Sequence, residues 1–267
     1  MTNTDHADDD IDGGIDHDLP QLLSRRTALS GLLGGAGLAV LAACGGTSSS
    51  SAAGAVPGLA GEIPEEIAGP FPGDGSNGAN VLTEAGVVRR DIRTSIGSAS
   101  GTAQGLPMTL RLRVLDLSGT EATPLEGAAV YVWHTDRNGD YSMYSAAAKD
   151  ENYLRGVQVA DVDGRLEFTT VFPACYDGRW PHVHVEVFPT LSAATSSANA
   201  LRTSQLALPQ DACEQVYATT GYEQSVRNLR RVSLDQDISF SDGYALQMAT
   251  MTGSNEQGWT AELTVAV

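Results

Sequence analysis

The sequence predicts an all-β domain, a β-sandwich of short strands joined by long loops. Three observations predict it. Apolar residues alternate, or fall in short β-branched runs, and long helical periodicity is hard to find. Turn pairs such as Asn138-Gly139 and Asp163-Gly164 punctuate the runs. Many short strands at such spacing are the pattern of a sandwich.

Residues 1–43 read as an export signal. Ser24-Arg25-Arg26 precedes a weakly apolar, Gly-rich stretch, Ala28 to Ala43. That stretch is a poor membrane span but a reasonable signal h-region, and a better fit to one than to a buried N-terminal helix. The arginine pair looks like a twin-arginine signal, although Ala28 stands where a bulky apolar residue is usual and Asp8 to Asp18 is unusually acidic. Leu41-Ala42-Ala43-Cys44 resembles a lipobox. It would make Cys44 the lipidated first residue of an exported protein, anchored facing outward from the cell membrane or released. Residues 44–61 are rich in Gly, Ser and Ala and suit a flexible tether.

The domain itself is expected over 62–267. It opens with GPFPGDGSNGAN, too rich in Gly and Pro for regular structure, and expected to lie against the domain surface. Strands are expected at Met108–Leu117, Ala128–His134, Arg165–Phe172, His182–Phe188, Ser204–Leu208, Tyr244–Thr250 and Thr260–Val267. Residues 191–203 and 209–230 read as longer loops, the second with a helical turn near Ala212 to Tyr217.

The formal charge is −17, from 33 acidic and 16 basic residues, and Lys149 is the one lysine. Without a Lys/Arg stripe, nucleic acid and anionic lipid surfaces are poor partners. Cys44 set aside, Cys175 and Cys213 remain. In an oxidising compartment two such cysteines most simply pair, tying the strand before Tyr176 to the segment after Leu208.

The chemistry concentrates in residues 175–187, CYDGRWPHVHVEV. His182 and His184 stand two apart on an expected strand, so both project from one face. Two imidazoles make half of a metal site, and alone they could serve zinc or copper. Tyr176 and Arg179 lie just upstream, and Tyr141 follows the turn-like NGD. Tyr144 or Tyr153 could stand in for Tyr141, but its place directly after the turn favours Tyr141. Two phenolates and two imidazoles suit a ferric ion, because hard phenolate oxygens match a hard, highly charged cation. Two tyrosinates and one hydroxide also neutralise three positive charges, which a buried site strongly prefers.

Other polar residues have plainer readings. Arg179 could be an ordinary surface ion pair. His134 alternates with Val130 and Val132 at a strand end and reads as structural. Trp180 suits core packing at least as well as a pocket wall. Asp136, Asn138 and Asp140 begin like a calcium loop, but Tyr141 and Ala147 stand where Gly and Glu are needed, so the turn serves to hold Tyr141.

The segments GAAVYVWHTDRNGDY, the hairpin RGVQVADVDGRLEFTTVFPACY and GRWPHVH resemble the intradiol ring-cleavage dioxygenases, the family of catechol 1,2-dioxygenase and protocatechuate 3,4-dioxygenase. EEIAGPFPGDGSNGANVL and VVRRDIRTSIG resemble its exported, single-chain branch. The resemblance implies a mixed β-sandwich catalytic domain and a non-heme Fe(III) cofactor. It makes Tyr141, Tyr176, His182 and His184 the ligands, and Arg179 the stabiliser of negative charge on the substrate ring. It places Gln205, in TSQLAL, behind the ligands. It implies that catechol-type rings are opened by O₂ between their two oxygenated carbons, giving muconate-type diacids without an external reductant. Catechol, protocatechuate, hydroxyquinol and larger lignin-derived catechols fit that chemistry alike. The alternatives are a non-catalytic surface β-sandwich that binds aromatics or carbohydrate, and a zinc or copper protein using the histidine pair alone.

Overall fold

The computed structural model describes residues 61–267. The export signal, Cys44 and the tether lie outside the described residues.

Among the described residues, nine strands form two sheets. β1 (Pro107–Asp116) runs through the middle of the larger one. On one side it pairs antiparallel with β5 (Arg165–Val171) and, beyond it, with the two-residue β2 (Thr123–Pro124). On the other it pairs parallel with β9 (Gly258–Ala266), which pairs antiparallel with β8 (Thr250–Ser254). The smaller sheet has the order β4 (Arg155–Val159), β3 (Ala129–Trp133), β6 (His182–Phe188), β7 (Arg202–Ala207), antiparallel throughout. The expected mixed β-sandwich is therefore present.

Alternation decides what each strand contributes. Leu110, Leu112 and Val114 of β1 meet Val130, Val132, Val183, Val185 and Val187 of β3 and β6 in the main core between the sheets. The opposite face of the smaller sheet is not left to water. Tyr131, Trp133 and Phe188 pack there in a second core with Val81, Leu82, Val87, Tyr141 and Val157. The cover is the Gly/Pro-rich segment 62–82, which crosses that face as a strap. Its backbone bonds to the sheet directly, as Glu66 N donates to Thr203 O at 2.8 Å. Tyr131 Oη and Arg155 Nη1 each donate to Pro72 O at 2.7 Å, and Arg155 Nη2 donates to Phe71 O at 2.8 Å. Gly73 needs its φ of +64°, and a Cβ there would stand 2.9 Å from Arg155 Nη1.

Four expectations change. Tyr244–Thr250 is not a strand apart from its last residue. Tyr244 O accepts from both Gln247 N and Met248 N, so the chain turns there, and its apolar residues pack on Trp180 and Phe240. The segment Arg155 to Val171 is not a simple hairpin: β4 and β5 part at Gly164 into different sheets, because β5 takes β1 as its partner. Residues 209–230 contain two helices, α1 (Gln210–Tyr217) and α2 (Glu223–Leu229), where one turn was expected.

The fourth concerns the cysteines. Cys175 and Cys213 are both buried free thiols rather than a disulfide. Each sulfur lies against a carbonyl, Cys175 Sγ 3.5 Å from Arg179 O and Cys213 Sγ 3.9 Å from Leu208 O. Burial pushes the Cys175 thiol up to about 12 and Cys213 well above its usual range, so both stay protonated and unreactive.

Candidate metal centre

The site is built on the strap-covered face of β6, where register sets His184 opposite Trp133 of β3 and Gln205 of β7. The His184 ring stacks on Trp133 with centroids 4.6 Å apart and planes 4° from parallel, which fixes its plane. His182 Nδ1 lies 2.5 Å from Trp180 O, so it carries the proton and leaves Nε2 bare. The two Nε2 atoms face each other at 3.1 Å.

Tyr141 arrives from the turn the sequence picked out. Asp136 Oδ1 accepts from Asn138 N at 2.8 Å and Asp140 N at 3.2 Å, closing the turn, and Tyr141 N donates to Ser145 Oγ at 2.9 Å. Its phenol oxygen then lies 3.1 Å from His184 Nε2 and 3.4 Å from His182 Nε2. Tyr176 reaches in from the turn before β6, its oxygen 3.4 Å from His182 Nε2. Tyr144 is engaged elsewhere, accepting from Gly73 N at 2.9 Å.

Four donor atoms thus converge, with separations of 3.1–3.4 Å between neighbouring pairs. Atoms about 2.0–2.1 Å from one tetrahedral metal ion lie roughly 3.3 Å apart, so the cluster fits a single shared ion. Among the described residues, no group of three or more His, Cys, Asp and Glu is placed to hold a metal. The donor set here depends on its phenols.

Electrostatics agree. Burial first, then Arg179, pushes His182 down to about 3, and burial with His182 keeps His184 well below its usual range. Both imidazoles are therefore neutral, the form that ligates. Burial and the neighbouring Tyr176 hold Tyr141 well above the usual phenol range. Only a strong positive charge at the cluster would reverse that and make it a phenolate.

Arg179 is not a surface residue; it is buried behind Tyr176. Its Nη1 lies 3.5 Å from Tyr176 Oη, and its Nη2 donates to Gln205 Oε1 at 2.5 Å. Gln205 Nε2 in turn donates to Ile67 O of the strap at 2.9 Å. Asp237, which no sequence signal singled out, forms a salt bridge with Arg179 at 3.1 Å. Burial alone would raise the Asp237 carboxyl, but Arg179, with help from His182 and Trp180 N, holds it below its usual range. His134 is structural as expected, its Nε2 2.7 Å from Thr170 Oγ1. Trp180 packs with Ala207 and Phe240 rather than lining the site.

Above the cluster is a cavity of about 10 Å³, lined by Ala68, Gly69, Pro70 and Phe71 of the strap together with Tyr141, Tyr176, Arg179 and His184. It has room for about one water.

Comparison with known proteins follows the same lines. The Dioxygenase family model matches residues 87–204, a span containing all four donors and Arg179. Chlorocatechol 1,2-dioxygenase of Rhodococcus opacus is 41% identical over 58 residues, 22% of this chain and 23% of that protein. Catechol 1,2-dioxygenase 2 of Acinetobacter lwoffii is 33% identical over 76 residues, 28% of this chain and 26% of that one. The matched stretches thus span about a quarter of those relatives' lengths. The intradiol ring-cleavage dioxygenase from Tetranychus urticae superposes with a TM-score of 0.55 at 23% identity, covering 68% of this chain and 87% of that one. That likeness shows a shared fold. Fold and family match together make the chain similar to β-sandwich dioxygenases, and the relatives it matches are intradiol ring-cleavage enzymes.

Proposed function

We propose that the protein is a non-heme Fe(III) intradiol dioxygenase that cleaves catechol-type rings with O₂ to muconate-type diacids. The observation that carries this reading is the convergence of Tyr141, Tyr176, His182 and His184 on one point. When bound there, the ferric ion supplies a Lewis-acidic centre that takes up the catechol and makes its ring reactive toward O₂. The two phenolates supply negative charge, and the two imidazoles bind without adding any.

Tyr141 is almost fully buried, whereas Tyr176 is partly exposed. Tyr176, the more accessible phenol, would therefore be the residue to give way to an incoming catechol and take one of its protons on the phenol oxygen. Arg179 sets a fixed positive charge beside that oxygen, where negative charge on the ring would develop. The strap keeps bulk water away. An aromatic ring does not fit in about 10 Å³, so Ala68 to Phe71 must move to admit substrate. The leader and lipobox-like Cys44 add the proposal that this chemistry takes place outside the cytoplasm.

The test is the visible absorption spectrum of the ferric-loaded protein, with and without anaerobic catechol, followed by oxygen uptake. The expected result is a tyrosinate-to-iron charge-transfer band that shifts when catechol is added. A colourless protein that binds zinc or copper and keeps its metal in the Tyr141→Phe variant would overturn the reading.

A further inference from the structure

We infer that Asp237 is a positioning residue for this centre, one carboxylate that fixes both the charge-stabilising arm of Arg179 and the backbone orienting His182. The inference rests on the dioxygenase reading for its catalytic part.

Asp237 is 2% exposed and lies in the loop between α2 and β8, 58 residues after Arg179. Both of its oxygens are in use. Oδ2 accepts from Arg179 Nε at 3.1 Å and from Trp180 N at 2.7 Å. Oδ1 accepts from Arg179 Nη2 at 3.2 Å and from Ser239 N at 2.9 Å. Two contacts to one guanidinium fix the plane of its fork, which a single contact would not. With Nε and Nη2 held by Asp237, and Nη2 also by Gln205 and Ser239 Oγ, Nη1 is the nitrogen turned toward Tyr176 Oη.

The bond to Trp180 N extends the effect. It pins the peptide whose next carbonyl, Trp180 O, takes the Nδ1 proton of His182 at 2.5 Å. That hydrogen bond decides which nitrogen of His182 faces the centre. Asp237 is neither one of the four donors nor itself part of the cavity lining, so it acts through Arg179 and Trp180.

The pairing makes a prediction that a general packing role does not. Removing Asp237 strands a buried positive charge, whereas removing both charges does not. In the metal-free protein, Asp237→Asn should lower Tm by about 5 °C or more, and adding Arg179→Met should recover part of the loss. In the ferric-loaded protein, Asp237→Asn should keep the tyrosinate band while kcat per bound iron falls about 100-fold, the size expected when a charged group is displaced by about 1 Å. KM should change less. The double variant should be no slower than Arg179→Met alone. Ser239→Ala removes one side-chain contact to Arg179 and provides a milder variant, with a smaller fall in kcat, should Asp237→Asn fail to fold.

Unchanged kcat per bound iron in Asp237→Asn, losses that multiply in the double variant, or no Tm recovery would overturn the inference. Should the iron-loaded wild type cleave no catechol, the dioxygenase reading falls and the catalytic role of Asp237 with it. The metal-free Tm cycle still decides the pairing with Arg179 by itself.

Discussion

Strands β1 and β6 carry the same kind of pattern and end in opposite surroundings. In β1, Leu110, Leu112 and Val114 point into the main core, while Thr109, Arg111 and Arg113 face outward. In β6, Val183, Val185 and Val187 point into that same core, while His182, His184 and Glu186 face the other way and are buried too. The difference is the cover. Nothing among the described residues lies over the outer face of β1, where an open groove of about 880 Å³ is lined by Arg111, Arg113, Glu167 and Glu262. Over β6 lies the strap. Polar residues on a wet face remain solvated and interchangeable. Under a strap, polar groups are cut off from water, and for imidazoles and phenols turned toward one another the proposed shared ion would supply the missing partner.

The largest effect expected from breaking this contrast is at the ligands. On the dioxygenase reading, Tyr141→Phe would remove one of two phenolates from a dry site and leave the ion's charge unbalanced. Ferric-ion affinity should fall at least about 100-fold, read by titration against a chelator, with the charge-transfer band displaced or lost. Retention of wild-type affinity would mean that another tyrosine ligates.

Next is the cover itself. Arg155 is buried and donates to Phe71 O, Pro72 O and Ser142 O, with no carboxylate partner among the described residues. Arg155→Ala would leave Phe71 O and Ser142 O without that donor, while Pro72 O keeps Tyr131 Oη. At about 1–3 kcal/mol for a buried group left unpaired, the variant should be less stable by on the order of 3 kcal/mol or more. Limited proteolysis should then cut first within 62–82. If stability falls while the strap stays protected, the strap is held by its apolar contacts instead. Gly73→Ala acts on the same contact more gently and should cost about 1–2 kcal/mol, from strain at φ +64° and crowding of Arg155.

These two variants mark where the sequence stopped being readable. The convergence of these side chains was legible because a strand's two-residue period puts His182 and His184 on one face whatever covers it, and because Asp136 closes a local turn that delivers Tyr141. The sandwich was legible for the same reason, since alternation is a local property. Which polar face is dry was not, because the cover comes from residues about 100 positions earlier that have no periodicity. Asp237 and Arg155 were invisible for a related reason. Their partners lie 58 and up to 84 residues away, and neither residue stands in a pattern. Cys175 and Cys213 were misread because compartment and number say only that two thiols could meet; each one's burial against a carbonyl is set by the helices after β7.

A smaller effect is expected at the strap's edge. Burial, with Asp242 beside it, pushes the Glu66 carboxyl from 4.5 up to about 8, although Gln247, Ser239 and Arg179 pull the other way. A raised folded-state value means that the folded protein holds this proton more tightly than the unfolded chain. Its contribution is therefore fully present below about pH 4.5 and is lost as pH rises toward 8. The metal-free wild type should lose Tm between pH 5 and 8 more steeply than Glu66→Gln. Parallel Tm profiles would place Glu66 in water, outside the covered layer.

The smallest effect belongs to β1. Arg111 pairs with Glu167 at 2.8 Å and Glu262 at 3.3 Å, all on the open face. Exposed pairs of this kind are worth about 0–1 kcal/mol, because water and salt screen both charges. Arg111→Ala should therefore shift stability by less than about 1 kcal/mol and leave ferric-ion binding unchanged, although Arg111 occupies on β1 the kind of position His184 occupies on β6. A loss comparable to that of Arg155→Ala would mean that this groove too is covered in the working protein, and the contrast between the two sheets would fail.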